Sequence, residues 1–176
     1  MSAKYPDADA LLVDARETMG LDDFGPGDFS VGLRVLLESY ERDTDLAAPA
    51  RTDMVEDFRR RLANRLEVEA WYADHPEIDD LPVLGPVDIN GLPRTGTTAL
   101  ADMLSLDPQF RSLRGWEQTR PCPPPEADEE ATDTRRLQFV AMLERRSAED
   151  RAMHIFEVDA TMEDTETLGM AFHGNR

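Results

Sequence analysis

The chain has 176 residues, of which 37 are acidic and 19 basic, and its formal net charge is −18. This length fits one domain with a buried core, and a hydrophobic content of 40% is typical of a folded soluble protein. The negative charge opposes binding to nucleic acid and to anionic membranes, and no apolar run approaches the roughly 20 residues that span a bilayer. We therefore expect neither a nucleic-acid partner nor membrane insertion.

The first eighty residues carry three apolar stripes with helical spacing. The first stripe follows Asp7 and stops at Gly20, and the second covers about 30–41. The third is the clearest and ends at Pro76, because proline removes a backbone donor. Within it, the run Arg59–Arg61 is interpreted either as a solvated helix face or as a basic docking patch.

Prolines and a glycine then mark a boundary, so we predict a helical N-terminal region over 1–80 and a second region over 81–176. The second region is predicted to contain a strand at 83–89, a helix at 97–106 and a short strand at 111–113. Further helices are predicted through 137–143 and over 165–172.

A glycine-rich loop precedes the predicted helix at 97–106. Gly91 and Gly96 are separated by four residues and Thr98 supplies a final hydroxyl, but Thr97 replaces the lysine of a nucleotide-binding loop. Arg94 places a positive charge inside the loop instead. Because the first turn of a helix has unpartnered N–H groups and a positive dipole end, the pattern indicates a phosphate cradle. The alternative is an ordinary turn between a strand and a helix.

The run Gly-Leu-Pro-Arg-Thr-Gly-Thr-Thr resembles the loop of sulfotransferases that use 3′-phosphoadenosine 5′-phosphosulfate (PAPS). Downstream, Asp107-Pro108, Trp116-Glu117, the prolines of 121–125 and the segment 154–172 resemble the large bacterial branch of that family. The resemblance covers the chain from about residue 83 onward and is weaker before it.

The resemblance implies an α/β fold, with a P-loop NTPase-like sulfotransferase core built on a parallel sheet. Residues 107–176 are predicted mainly as helix and loop, so we expect this sheet to be incomplete and the chain to be an N-terminal portion of a longer enzyme. A fragment of this kind is expected to be inactive and to associate through exposed strand edges.

The resemblance further implies a PAPS donor held by Arg94, Thr95, Gly96, Thr97 and Thr98. PAPS has no γ-phosphate, so neither the missing lysine nor a metal ion is needed. Arg94 is also expected to stabilise the departing phosphate during transfer. The expected acceptor is a hydroxyl or amine of a small molecule, a lipid or a glycan.

Two residues are candidates for the general base of such a transfer. Glu117 lies in a Gly-Trp-Glu context like that of glutamate bases in related sulfotransferases, although it is also explained as a surface glutamate at a helix start. His154 is the second candidate, and its alternative is a packed imidazole. Glu163-Asp164 resembles an acidic pair of the bacterial branch or is a helix cap. No Cys, His or carboxylate spacing indicates a metal site.

Two other functions remain open from the residues. One is a P-loop kinase or NTPase, against which the threonine at position 97 argues, and the other is a non-catalytic helical interaction module. The lone Cys122 excludes an internal disulfide, and the acidic N-terminus lacks an apolar signal core. We therefore expect a cytoplasmic protein.

Overall fold

A computed structural model describes residues 5–82, 84–92, 95–149 and 157–172. Their contacts divide the chain into two compact units. The helical unit consists of the described residues of Met1–Ile78 and Thr165–Arg176, and the loop-rich unit consists of those of Asp79–Asp164.

The described helices are, in chain order, α1 (Ala8–Met19), α2 (Phe29–Asp43), α3 (Ala48–Asp74), α4 (Thr97–Ser105), α5 (Gly115–Thr119), α6 (Thr134–Glu144) and α7 (Thr165–Gly169). Short 3₁₀ turns occupy Pro76–Asp80 and Glu130–Thr132.

The three helices predicted for the first eighty residues are confirmed. Helix α1 ends where Gly20 adopts a left-handed conformation with φ of 65°, and the Gly20 N–H bonds the Arg16 carbonyl at 2.8 Å. Helix α3 has a proline at its first turn, where the missing N–H is not needed. It stops just before the Pro76 turn, as the sequence predicts.

The core of the helical unit forms where the apolar stripes of its helices meet. Leu33, Leu62 and Leu66 are completely buried within it. Phe172, three residues beyond α7, packs edge-on against Phe58 with ring centroids 5.6 Å apart. Phe172 is therefore part of the hydrophobic core of the N-terminal helices. In the sequence-based division of the chain, it belongs to the region 81–176.

The arginine run of α3 joins helices rather than forming a free basic patch. Arg59 pairs with Asp14 of α1 at 2.8 Å, and Arg60 pairs with Glu166 of α7 at 2.7 Å. Arg61 is only 6% exposed and pairs with Asp57 at 2.9 Å. All three arginines are therefore paired with carboxylates of the helical unit.

Arg65, one turn further along α3, fixes the loop between α1 and α2. Its guanidinium donates to the Phe24 carbonyl at 2.7 and 3.0 Å and to the Pro26 carbonyl at 3.2 Å. It also lies over the Phe29 ring, 4.2 Å from the centroid. Burial lowers the pKa of Arg65, and the carbonyl oxygens and ring compensate for the lost water.

The predicted α/β core with a parallel sheet is wrong for the described part of the loop-rich unit. Residues 84–92 form no strand, residues 111–113 form none either, and the β pairing present is one antiparallel bridge between Arg114 and Thr161. An extended segment becomes a strand only when a neighbour pairs with its N–H and C=O groups. Leu84 is instead 97% exposed. Within the described ranges, the loop-rich unit consists of helices and loops.

The helix predicted after the glycine-rich loop is confirmed as α4, but its apolar face is uncovered. None of its residues is buried, and Met103 is 70% exposed. A hydrogen bond of 2.7 Å from Thr161 to Asp102 connects α4 to a later loop of the same unit. In the part of the chain that the structure describes, no helix has the length and hydrophobicity to cross a membrane.

Candidate functional site

The glycine loop, defined as residues 91–98, leads directly into α4. Gly96 is the N-cap of the helix with φ of 90°, a left-handed conformation that favours glycine. The first helical hydrogen bond runs from the Leu100 N–H to the Gly96 carbonyl at 3.0 Å. Upstream, the Thr95 hydroxyl donates to the Leu92 carbonyl at 2.6 Å.

The side chains of Thr95 and Thr97 lie close to Gly91. A Cβ atom on Gly91 would lie 2.8 Å from Thr97 Cγ2 and 2.9 Å from Thr95 Oγ1. The two side chains therefore occupy the space that any other residue at position 91 would fill. Each glycine of the predicted phosphate-loop pattern thus has a local reason: Gly91 lies against two side chains, and Gly96 has a positive φ.

The start of α4 has the properties of an anion-binding position. Among the described residues, no side chain caps the helix, so the N–H groups of Thr97, Thr98 and Ala99 point out of its first turn. Thr97 is partly exposed and Thr98 is exposed. Backbone donors, hydroxyl groups and the positive dipole end therefore coincide at one surface position. Pro93 and Arg94, including the predicted catalytic cation, lie outside the described residues.

Glu117 is buried in α5 rather than exposed. Its Oε2 accepts the Arg114 backbone N–H at 2.8 Å and its Oε1 accepts from the Arg111 guanidinium. The side chain is 3% exposed, whereas that of Arg111 is 61% exposed. Glu117 therefore stabilises the start of α5 as part of a capping box. No hydrogen bond or ion pair links it to the described residues of the glycine loop.

The remaining candidates from the sequence are His154 and the acidic pair Glu163-Asp164. His154 lies outside the described residues. The Asp164 carboxylate lies 3.5 Å from the Gln118 side-chain nitrogen, at the limit for a hydrogen bond, and α7 begins at the next residue. Over the described ranges, no cluster of three His, Cys, Asp or Glu side chains is placed to hold a metal ion.

Arg135 organises the chain around α5 and α6. It donates to the Arg120 carbonyl at 3.0 Å and to the Pro123 carbonyl at 2.6 Å, and its guanidinium lies 5.3 Å from the centre of the Trp116 ring. Asp133 pairs with the same guanidinium at 2.5 Å and accepts the Arg135 backbone N–H at 2.8 Å as the cap of α6. The Asp133–Arg135 ion pair thus connects the start of α6, the loop after α5 and the buried Trp116 ring.

This ion pair predicts a pH-dependent contribution to stability. Arg135 lowers the pKa of Asp133, so the folded state holds the carboxylate ionised to lower pH than the unfolded chain does. The stabilisation is therefore present above the unfolded pKa of about 4 and is lost as the pH falls through the lower, folded value.

The variant Asp133→Asn tests this pH dependence, because asparagine keeps the helix cap but not the charge. We expect the difference in urea midpoint between wild type and Asp133→Asn to be largest above the unfolded pKa of about 4 and to shrink as the pH falls below it. A difference independent of pH would contradict the assignment.

The loop-rich unit also contains a cavity of about 470 Å³ lined by three arginines, Arg111, Arg114 and Arg136. Two carboxylates share the lining. Arg114 forms two hydrogen bonds to Glu130, at 2.8 and 3.1 Å, and Arg136 forms two to Asp159, at 2.6 and 3.0 Å. We call this the arginine cavity. No local sequence pattern predicts it, because Arg136 is separated from the other two arginines by more than twenty positions.

The chain belongs to the sulfotransferase family. The model of the sulfotransferase family matches residues 86–175, which is just over half of the chain and includes the whole glycine loop. The resemblance found in the loop is thereby confirmed at the level of the family.

Two solved mycobacterial sulfotransferases are similar to this chain in structure. Sulfotransferase STF1 from Mycobacterium tuberculosis H37Rv matches with a TM-score of 0.78 and 26% identity over 98% of this chain. Sulfotransferase STF9 from Mycobacterium avium matches with a TM-score of 0.83 and 29% identity over 99% of this chain. The match covers 48% and 46% of those two proteins, so the chain spans about half their length. No curated protein matches this chain significantly.

Proposed function

We propose that this chain supplies the donor-binding part of a sulfotransferase that uses PAPS. The observation that carries the proposal is the glycine loop at the uncapped start of α4, in a chain that belongs to the sulfotransferase family. When bound, PAPS supplies a sulfuryl group, whose bond to the 5′-phosphate oxygen breaks as a bond to the acceptor oxygen or nitrogen forms.

The residues of the loop fit the phosphate end of this donor. Thr97 and Thr98 offer hydroxyl and N–H donors side by side, and Gly91 leaves room for the side chains of Thr95 and Thr97. Arg94 adds the charge that neutralises the phosphate and stabilises it as the sulfuryl group leaves. A neutral Thr97 in place of lysine suits a donor that ends in a sulfuryl group on its 5′-phosphate.

Glu117 and His154 remain the proposed bases for the acceptor proton. A base must come within hydrogen-bond reach of that proton. Glu117 meets this requirement only if its Oε1 exchanges the Arg111 contact for the acceptor, since its Oε2 stays in the helix cap. The exposed position of Arg111 allows such an exchange without unfolding α5. We propose that the acceptor is a hydroxyl or amine of a small molecule, lipid or glycan. Because Cys122 is a free cysteine, we also propose a cytoplasmic location.

Calorimetric titration separates this function from that of a kinase or NTPase. We expect 3′,5′-adenosine bisphosphate, the desulfated donor, to bind without Mg²⁺, and we expect ATP to bind no better when Mg²⁺ is added. Arg94→Ala should weaken the bisphosphate by about tenfold or more, because it removes a charge-assisted contact to phosphate. Arg145→Ala, which removes an exposed arginine from the end of α6, is the matched control.

Two outcomes would contradict the proposal. Mg²⁺-dependent binding of ATP without binding of the bisphosphate would favour the NTPase function. Absence of binding by either nucleotide, together with capture of a stoichiometric protein partner, would favour the helical interaction module. Sulfuryl transfer itself is measured separately, because the chain spans about half the length of the two enzymes it matches.

A further inference from the structure

The arginine cavity carries more positive charge than the composition of the chain predicts. The chain has almost two acidic residues for each basic one, yet three guanidinium groups and two carboxylates line this cavity. Arg114 and Arg136 are paired with Glu130 and Asp159, which belong to the lining themselves. Arg111 is the third guanidinium of the lining, and the carboxylate that neutralises it, Glu117, lies outside the lining.

Arg111 is placed to present its charge to a ligand. Its partner Glu117 is not part of the lining and is buried, while the Arg111 side chain is 61% exposed. The ion pair with Glu117 occupies one terminal nitrogen, Nη2, of a group that has five N–H donors. The remaining donors form a planar fork of the kind that binds a carboxylate or a phosphate.

The rest of the lining suits an organic molecule rather than an inorganic ion. Phe110 is 42% exposed and contributes an aromatic surface, and Ala131 adds a small apolar one. Ser105 and Ser112 add hydroxyl groups. A volume of about 470 Å³ lies within the usual range for sites that hold small molecules.

We propose that the arginine cavity binds a small organic anion, whose carboxylate or phosphate contacts Arg111 and whose apolar part lies on Phe110. The site is distinct from the glycine loop. Ser105 is the last residue of α4 and Thr97 is the first. At a rise of 1.5 Å per residue, the two ends are about 12 Å apart. The lining shares no residue with the glycine loop, and no contact of the proposed donor is used to infer the anion.

Benzoate and phenyl phosphate are suitable probes, and their dissociation constants follow from chemical-shift titration of the 15N-labelled chain. We expect saturable binding of at least one probe. The probe with the lower dissociation constant shows whether the site prefers a carboxylate or a phosphate. Arg111→Ala should weaken it about tenfold or more, because a charge-assisted contact is lost. Asp159→Asn should tighten it several-fold, since it removes a negative charge from the lining. Arg145→Ala is the control for the loss of an exposed arginine.

The substitution at Asp159 is the sharper test, because a purely structural role for the ion pairs predicts no tightening. The proposal is overturned if neither probe saturates, if Arg111→Ala and Arg145→Ala bind equally well, or if Asp159→Asn weakens binding. Thr97→Ala separates the two sites. It should leave the affinity for the probe unchanged, and a loss as large as that of Arg111→Ala would assign the probe to the glycine loop instead.

Discussion

Thr97→Ala is expected to weaken binding of 3′,5′-adenosine bisphosphate by about 10- to 100-fold, because a hydrogen bond to a charged group contributes about 1.5–3 kcal/mol. Thr97 is the first residue of α4, and its methyl group packs on Gly91 while its hydroxyl is available to a phosphate. Calorimetric titration of the purified variant gives the dissociation constant directly.

Two companion variants isolate the hydroxyl. Thr97→Ser keeps the oxygen and removes the methyl group, so it should restore most of the affinity. Thr132→Ala removes an exposed hydroxyl that bonds the Glu129 carbonyl at 3.0 Å, and it should leave the affinity unchanged. Equal affinities for wild type and Thr97→Ala would show that this hydroxyl does not touch the donor.

Arg135→Ala is expected to destabilise the loop-rich unit by about 2–4 kcal/mol, since it leaves Asp133 and two carbonyl oxygens without their charged donor. The Arg135 side chain is 12% exposed, so water replaces these contacts poorly. The Trp116 ring also loses one of the two guanidinium groups that lie over it, and that of Arg114 remains. Urea unfolding followed by Trp116 fluorescence measures the loss, in a Trp71→Phe background that removes the second tryptophan.

The control for this prediction lies on the same helix. Arg145→Ala removes an exposed arginine at the other end of α6 and should change the free energy of unfolding by less than about 0.5 kcal/mol. Equal midpoints for the two variants would mean that Arg135 does not organise the loops around Trp116.

The helices were predictable because their signals are local. Gly20 and Pro76 mark helix ends by backbone chemistry alone, and the Gly91–Gly96 spacing located α4 and its loop. The sheet was predicted from family resemblance and an apolar run. A strand forms only when a second segment pairs with it, and the described residues contain no partner for 84–92. The same reasoning explains why Leu84 is exposed.

Glu117 was interpreted as a base or as a surface glutamate at a helix start. It does lie at a helix start, but its side chain is buried and pairs with Arg111. The packing of Phe172 on Phe58 and the arginine cavity, in contrast, depend on residues far apart in sequence. No periodicity or motif encodes such contacts, so they become visible only in three dimensions.

The central claim is that the glycine loop binds the phosphate end of the donor. The most direct measurement is the 15N–1H spectrum of the chain, recorded as 3′,5′-adenosine bisphosphate is added without Mg²⁺. We expect the amide signals of Thr95 to Ala99 to shift most and to saturate together, since these N–H groups form the start of α4. Shifts confined to other residues, or none at saturating nucleotide, would contradict the claim.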